Sequence, residues 1–341
     1  MIDREPVTMP ARPALRSVPQ PVDVSILIVT WNSERWIDRC LRSIPAACEG
    51  ISHEIVVYDN ASSDTTLQRV RQAPSPVVMP LVISSDRNDG FAAGTNRALQ
   101  QSNGRFVFFL NPDCELEPGA LTLLVNFLDQ HLDVAAAAPL LQDESGETQR
   151  EFQLRRLPTL RSFAAEILLV DKLFPGNPAT SRYRFRDADL THPIRVEQPA
   201  AAAFLIRREV FESIGPLDEA FAPAWFEDVD FCRRMMEAGK EIFAVPAARA
   251  RHFGGASLEH VGHARFVDVW YRNMWLYGRK WFSGGESEAM RWMIIVGLLL
   301  RSLAALAGLA NGDGRLAAFR AYVAVAKKAL NRWDAGSPSS S

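Results

Sequence analysis

Val24-Ser25-Ile26-Leu27-Ile28-Val29-Thr30 is an apolar, β-branched run that ends on a hydroxyl. Its length and composition are those of a strand buried on both faces. Downstream, Ile37, Cys40, Leu41 and Ile44 fall at i, i+3, i+4 and i+7, the stripe of an amphipathic helix, with Ser33 as its expected N-cap. The alternation then repeats. Glu54–Tyr58 reads as a strand ending at Asp59, and Ser62 or Ser63 as the cap of a helix beginning near Asp64. Val77–Ser84 reads as a third strand, and Phe91–Ser102 as a helix stopped by Asn103-Gly104. Phe106–Leu110 reads as a fourth strand, and Leu121, Leu124, Val125 and Leu128 mark a helix opened by Pro118. Strand–helix alternation from 24 to 139 predicts a mostly parallel sheet covered by helices on both faces. In such sheets ligands bind beyond the carboxyl ends of the strands. Thr30-Trp31-Asn32, Asp59-Asn60 and Asn111-Pro112-Asp113 all stand at such ends, so three polar clusters are expected to converge on one edge.

Between 140 and 197 the periodicity weakens, as in a mobile insertion over a site. Order returns with a strand at Ala200–Ile206, a helix at Arg208–Ile214 and a turn at Gly215–Asp218. A helix at Asp228–Ala238, stopped by Gly239, and a last strand at Glu241–Val245 follow.

The 341 residues are 48% hydrophobic and 23% charged, enough for one large α/β domain or two smaller ones. A net charge of −2 offers no basic field for nucleic acid. Cys40, Cys48, Cys114 and Cys232 show no CxxC spacing and read as reduced thiols of a cytosolic protein. Residues 1–21, with five prolines and no apolar core, read as a disordered arm and carry no signal-peptide pattern. Met290–Ala310 is apolar but interrupted by Arg291, Arg301 and Ser302. An arginine at the centre of a membrane-spanning helix costs several kcal/mol. A helix lying on a membrane surface or packed in the core is therefore preferred to a span. Arg315, Arg320, Lys327, Lys328 and Arg332 follow on a second helical stretch, which suits anionic lipid.

The chemistry concentrates in carboxylates. The turn Thr30-Trp31-Asn32-Ser33 holds no glycine, so neither the dinucleotide fingerprint nor a Walker loop is present. Side chains can hold a nucleotide instead, with Asp59 accepting from a pyrimidine N–H and backbone at Thr30 assisting. Asp86–Asn96 is a glycine-containing entry to a helix, and Gly90 frees the backbone where N–H groups favour anions. Asp113 is the leading metal candidate, because Mg²⁺ and Mn²⁺ take carboxylate oxygens together with substrate phosphates. His252 would be a second ligand, imidazole suiting Mn²⁺ better than Mg²⁺. His260 and His263 read as surface residues. Trp225-Phe226-Glu227-Asp228-Val229-Asp230 places three acids at a helix start among aromatics. Asp228 is the preferred base, with Glu227 and Asp230 in competition. Arg233 and Arg234, one turn on, would pair with these acids or reach a phosphate.

In this order, VSILIVTWN, VVYDNASSDTT (56–66), RNDGFAAGTN (87–96), FFLNPD (108–113), FEDVDFCRR (226–234) and RHFGGAS (251–257) resemble the family 2 inverting glycosyltransferases with the GT-A fold. The likeness runs from about Val24 to Phe282 and is strongest to the rhamnosyltransferase branch. It implies a domain over 22–285, with a Rossmann-like nucleotide-sugar half at 22–139 and an acceptor half at 140–285. C-terminal amphipathic, membrane-associating helices would fill 286–335. It implies that Thr30, Asn32 and Asp59 hold the nucleoside, and that Asn88, Gly90, Asn96 and Asn111 line the sugar-nucleotide pocket. Asn111 would stand where the metal motif's first acid is usual, and Asp113 at its last position. His252 would be a metal or diphosphate ligand and Asp228 the general base. The implied reaction is a single in-line displacement from a nucleoside diphosphate sugar, dTDP-L-rhamnose foremost, with Mg²⁺ or Mn²⁺. The acceptor would be a lipid-linked saccharide or glycan, at the cytoplasmic face of the plasma membrane. The rival readings are a sugar nucleotidylyltransferase and a silent carbohydrate-binding or membrane scaffold protein. The first needs a glycine-rich basic loop that TWNS is not.

Overall fold

The computed structural model describes residues 22–73, 76–186, 188–254, 261–309 and 314–333. The arm at 1–21, His260 and part of the 251–257 segment lie outside them. In chain order the elements begin with β1 (Val24–Thr30), α1 (Ile37–Ala47), β2 (His53–Asp59), α2 (Thr66–Arg71), β3 (Leu81–Ser84) and α3 (Phe91–Gln100). Next come β4 (Phe106–Leu110), β5 (Cys114–Leu116), α4 (Ala120–Gln130), β6 (Val134–Gln142), α5 (Arg150–Gln153), β7 (Leu154–Arg155), α6 (Leu160–Ile167), α7 (Val170–Leu173) and α8 (Pro178–Tyr183). The chain continues with β8 (Ile194–Val196), β9 (Gln198–Pro199), β10 (Ala203–Arg207), α9 (Arg208–Ile214), a 3₁₀ turn (Glu219–Phe221), α10 (Glu227–Glu237) and β11 (Glu241–His252). Three helices follow, α11 (His263–Trp281), α12 (Gly284–Leu306) and α13 (Arg315–Leu330).

The main sheet has nine strands in the order β3-β2-β1-β4-β10-β6-β11-β5, with β8 also paired to β11. β3, β2, β1 and β4 are parallel. β10 enters antiparallel between β4 and β6, and β11 returns parallel to β6. The α/β sheet flanked by helices that the alternation predicts is therefore present. Six of its nine strands run one way, while β10, β5 and β8 oppose them. Each strand of the parallel half divides its side chains between two cores. Ile26 and Ile28 pack with Ile37, Leu41 and Leu124 on one face, and Leu27 packs with Ala92, Ala98 and Phe109 on the other.

Several boundaries differ from expectation. Ser33 does not cap α1: its hydroxyl bonds back to Trp31, and the helix starts after Trp36. β3 begins four residues later than Val77, beyond Pro80, which cannot donate to a ladder. β6 (VAAAAPLLQ) was not expected, because alanine favours helix, yet its side chains lie buried in the middle of the sheet. β11 runs on past Val245 to His252 through a register shift between Val245 and Arg249. The 140–197 region, expected as a mobile insertion, carries where described four short helices, α5 to α8, joined by turns and short strands. It buries Leu154, Phe163 and Ile167.

α12 explains its own arginines. Arg301 donates to the carbonyls of Glu166 and Ile167 at the end of α6, and Arg291 pairs with Glu288 and donates to Ala329. One face of α12, with Met290, Ile294 and Leu298, is buried with α11 and α13. The opposite face leaves Trp292, Val296, Leu299, Leu303 and Leu306 exposed.

Candidate active site

Three strand tips build the first corner. In register, Thr30 stands beside Asp59 and Asp59 beside Ser84. The Asp59 carboxylate accepts from Thr30 Oγ1 at 2.8 Å, Ser62 Oγ at 2.6 Å and the Ser62 N–H at 3.0 Å. A carboxylate offers about four acceptor positions, so roughly one remains for a ligand. Thr30 serves by aiming Asp59, since its own carbonyl is taken by the Asn60 N–H. Asn32 adopts a left-handed φ of 49° and accepts at Oδ1 from Ser63 N–H and Oγ. Ser62 and Ser63 thus knit the two tips together and do not cap α2, which begins after Thr65.

The second corner is the loop at Gly90. Asn88 Oδ1 accepts from the Gly90 N–H at 3.0 Å, and Asn60 Nδ2 donates to the Gly90 carbonyl at 3.3 Å. Neighbouring Asp89 is raised by burial but brought down to about 2 by hydrogen bonds from Tyr58, Arg87 and Ser85. Gly90 has φ 90° and ψ 171°, a backbone conformation that glycine alone adopts readily. Its hydrogens face the turn before the acidic helix: a Cβ there would stand 2.7 Å from the Pro223 oxygen. Phe91 N–H donates to that oxygen at 2.7 Å. Gly90→Ala therefore costs roughly 1–3 kcal/mol of backbone strain and displaces the 222–226 turn. The expected result is a lower urea midpoint together with weaker donor binding. An unchanged midpoint contradicts the close approach. Asn96 is a correction. Its amide accepts from the Leu217 N–H and donates to the Leu217 carbonyl and to Glu219. With both N–H groups committed, it ties α3 to the 217–219 turn and has no donor left to line a nucleotide pocket.

The third corner joins β4, β5 and the end of β11. His252 pairs in register with Cys114, and His252 Nε2 lies 3.7 Å from Asp113 Oδ2. Both side chains are buried, and among the described residues no hydrogen-bond donor reaches the Asp113 carboxylate. A buried carboxylate without a donor, facing an imidazole, fits a divalent cation with oxygen and nitrogen ligands. Cys114 Sγ falls within the same 4.8 Å group. Its thiol donates to the Ala202 carbonyl, and burial together with Asp113 pushes its pKa well up, so it stays a neutral thiol. Burial lowers the His252 pKa, opposed by the Asp113 charge, and the ring is neutral at pH 7. The Asn111 backbone bonds Ala202, and its side-chain amide has no partner among the described residues.

The fourth corner separates the three acids of α10. Asp230 is fully buried and bound by Arg234, Trp281 Nε1 and Lys280 at 3.0, 2.8 and 2.8 Å. Glu227 is buried, and desolvation and the Asp228 charge raise its pKa well above the usual range, which favours its protonated form. Asp228 is the partly exposed one of the three. It accepts from the Val229 N–H at 2.8 Å and from Gln198 Nε2 at 3.3 Å. Burial raises its pKa, against the pull of the Val229 N–H and of Arg155. Trp225 and Phe226 both take left-handed φ, 72° and 76°, immediately before the helix. Each such residue costs about 1–3 kcal/mol. Asn273 of α11 holds the turn by donating to the Phe221, Ala224 and Trp225 carbonyls. Arg233 and Arg234 are spent on Glu237 and on Asp230, and neither points to a phosphate role.

The last two corners share one stretch of chain. Gln198 Nε2 donates to Asp228 at 3.3 Å, and four residues further on the Ala202 carbonyl accepts from the Asn111 N–H at 2.8 Å. Asp228 and the Asn111–Asp113 turn are therefore bonded to the same short stretch, residues 198–202. Gln149, Gln198 and Asn273 support the site and were not singled out from sequence, since lone amides carry no motif.

Fold and edge together define a GT-A glycosyltransferase. The glycosyl transferase family 2 profile matches residues 25–215, more than half of the chain, and the protein belongs to that family. It is 25% identical over 293 residues to N-acetylglucosaminyl-diphospho-decaprenol L-rhamnosyltransferase of Mycobacterium tuberculosis, covering 81% of this chain and 91% of that protein. It is 23% identical over 233 residues to the rhamnosyltransferase WbbL of Escherichia coli, covering 67% and 83%. Among solved structures it resembles Staphylococcus aureus TarS 1–349 in complex with UDP-GlcNAc (TM-score 0.51, 17% identity, 90% of this chain and 81% of that one). It also resembles GalNAc-T7 with UDP, GalNAc and Mn²⁺ (TM-score 0.52, 16% identity, 92% and 56%). The nucleotidylyltransferase reading falls away with the family assignment.

Proposed function

We propose that this glycosyltransferase moves L-rhamnose from dTDP-L-rhamnose to a lipid-linked saccharide, with inversion. Asp228 takes the proton from the acceptor hydroxyl, which attacks the anomeric carbon directly. The observation that carries the mechanism is the shared 198–202 stretch, bonded to Asp228 through Gln198 and to the metal corner through Ala202. Asp113 and His252 would hold Mg²⁺ or Mn²⁺, which when bound neutralises charge on the departing diphosphate. Asp59, aimed by Thr30 and Ser62, keeps an acceptor position for a pyrimidine N–H, and Asn32, Asn88, Gly90 and Asn111 frame the rest of the donor. The rhamnosyl donor and diphospho-lipid acceptor follow the names of the two bacterial relatives. A transfer assay pairing dTDP-L-rhamnose, dTDP-glucose and UDP-GlcNAc with a polyprenyl-diphosphate-linked N-acetylglucosamine tests the reading. Rhamnosyl transfer with inverted configuration is expected, and transfer from UDP-GlcNAc alone rejects the donor.

The exposed stripe of α12 seats the enzyme on the membrane that holds such an acceptor. α12 is long and apolar enough to cross a bilayer, with mean hydropathy 1.7, but its other face is used by α11 and α13, so it lies along the surface. From 289 to 333 the chain has seven arginines and lysines against one acid, Asp313, which favours anionic lipid. The enzyme should co-sediment with vesicles containing phosphatidylglycerol, and Leu299→Glu with Leu303→Glu should release it. Retention of that double variant on the vesicles refutes the seating.

A further inference from the structure

We infer that Gln149 is a positioning residue that sets the tautomer of His252 and so aims Nε2 at the Asp113 corner. The inference rests on the metal reading given above for its consequence, though not for its geometry. Gln149 lies just before α5, 103 positions away from His252 in sequence, and grips it twice. Its Nε2 donates to the His252 carbonyl at 2.7 Å, and its Oε1 lies 3.0 Å from His252 Nδ1. The amide cannot be turned over, because a flipped Gln149 would set its oxygen at 2.7 Å from that carbonyl oxygen, acceptor against acceptor. Oε1 is an acceptor only, so Nδ1 carries the hydrogen and Nε2 keeps a lone pair. That lone pair faces Asp113 Oδ2 at 3.7 Å. The Phe152 ring stacks on the imidazole at 4.9 Å and 21°, which fixes the ring plane while the amide fixes its spin. The Gln149 N–H itself donates to the Leu141 carbonyl at the end of β6, so the clamp stands on the sheet.

Partners of this kind behind a metal-bound histidine usually matter by about 10–100-fold in metal affinity. The test uses the full-length protein with Mn²⁺ as probe. It compares wild type, Gln149→Leu, which removes both bonds, and Gln149→Glu, which restores an acceptor for Nδ1–H. Long-range ¹H–¹⁵N correlation of the imidazoles, read without metal and assigned with His252→Gln, should show Nδ1–H in the wild type. It should show an Nε2–H population in Gln149→Leu. Titration of Mn²⁺ by electron paramagnetic resonance should show affinity lowered 10–100-fold in Gln149→Leu and largely recovered in Gln149→Glu. A merely structural role would lower the melting temperature and leave tautomer and affinity unchanged, which overturns the inference. If the wild type holds no Mn²⁺ while the tautomer still follows residue 149, the metal reading fails and the positioning of His252 stands. If the tautomer does not follow residue 149, the positioning fails whatever the metal does.

Discussion

Asp228→Asn should lower kcat by about 10²–10⁴-fold, the usual contribution of a positioned general base, while binding of the nucleoside diphosphate stays at the wild-type level. The substitution keeps the shape of the side chain. Asn Oδ1 still accepts from the Val229 N–H, which now meets Asp228 at 2.8 Å. The Nδ2 group replaces the oxygen that Gln198 Nε2 reaches, setting donor against donor. Gln198 Oε1 has no partner among the described residues, so a turn of that amide restores the contact at the expense of the bond from Nε2 to the Pro199 carbonyl. A small stability change of about 1 kcal/mol is therefore expected, far too little to explain the loss of turnover. The pH profile gives an independent reading. Burial places the folded pKa of Asp228 above that of the unfolded chain, despite the opposing Val229 N–H and Arg155. The fold thus favours the protonated form. That stabilisation is complete below the unfolded carboxyl pKa and fades as pH rises through the folded one. Activity runs the opposite way, rising with pH through the same folded pKa, so its acid limb should lie above the ordinary carboxylate range. Wild-type turnover in Asp228→Asn, or an acid limb at the pKa of an unperturbed aspartate, would reject Asp228 as the base.

The parallel half of the fold was legible because its strands are β-branched and its helices keep a clean apolar stripe. β1 and α1 illustrate this, with Ile37, Cys40, Leu41 and Ile44 all buried. The antiparallel half was not. β6 is written in alanine, whose local preference for helix is overridden by its place in the sheet. β11 carries Pro246 at its register shift, which hides its second half and the position of His252. Of the candidate site, the carboxylates were legible because Asp59, Asp113 and Asp228 each stand where a readable strand ends or a readable helix begins. Their division of labour was not, since it depends on contacts from far along the chain. Nothing near Asp230 in sequence announces Trp281 and Lys280. The pocket role of Asn96 came from the family resemblance, which carries no information on its partners at Leu217 and Glu219.

Asp230→Ala should destabilise the fold by roughly 3–5 kcal/mol, the range for removing one partner of a buried ion pair. Asp230 has no exposed surface, and its carboxylate meets Arg234 at 3.0 Å, Lys280 at 2.8 Å and the Trp281 indole N–H at 2.8 Å. Its loss leaves two cations and an indole donor without their shared acceptor. Both cations keep other partners: Lys280 also pairs with Asp218, and Arg234 donates to the Ile214 and Pro216 carbonyls. These residual bonds place the expected cost toward the lower end of the range. Against a total stability of about 5–15 kcal/mol for a typical domain, that is a large fraction, and the urea midpoint should fall accordingly. Asp230→Asn keeps an oxygen for Trp281 but removes the charge, and should fall between the alanine variant and the wild type. The effect reaches the site because α10, which begins with Glu227 and Asp228, is tied by this carboxylate to the end of α11. The two aspartates, two positions apart, should therefore separate in opposite directions. Asp228→Asn removes turnover and leaves the midpoint nearly intact, whereas Asp230→Asn lowers the midpoint and leaves substantial turnover in the folded fraction. If Asp230→Asn instead abolishes transfer at an unchanged midpoint, the proton acceptor is Asp230 and the assignment of roles along α10 has to be reversed.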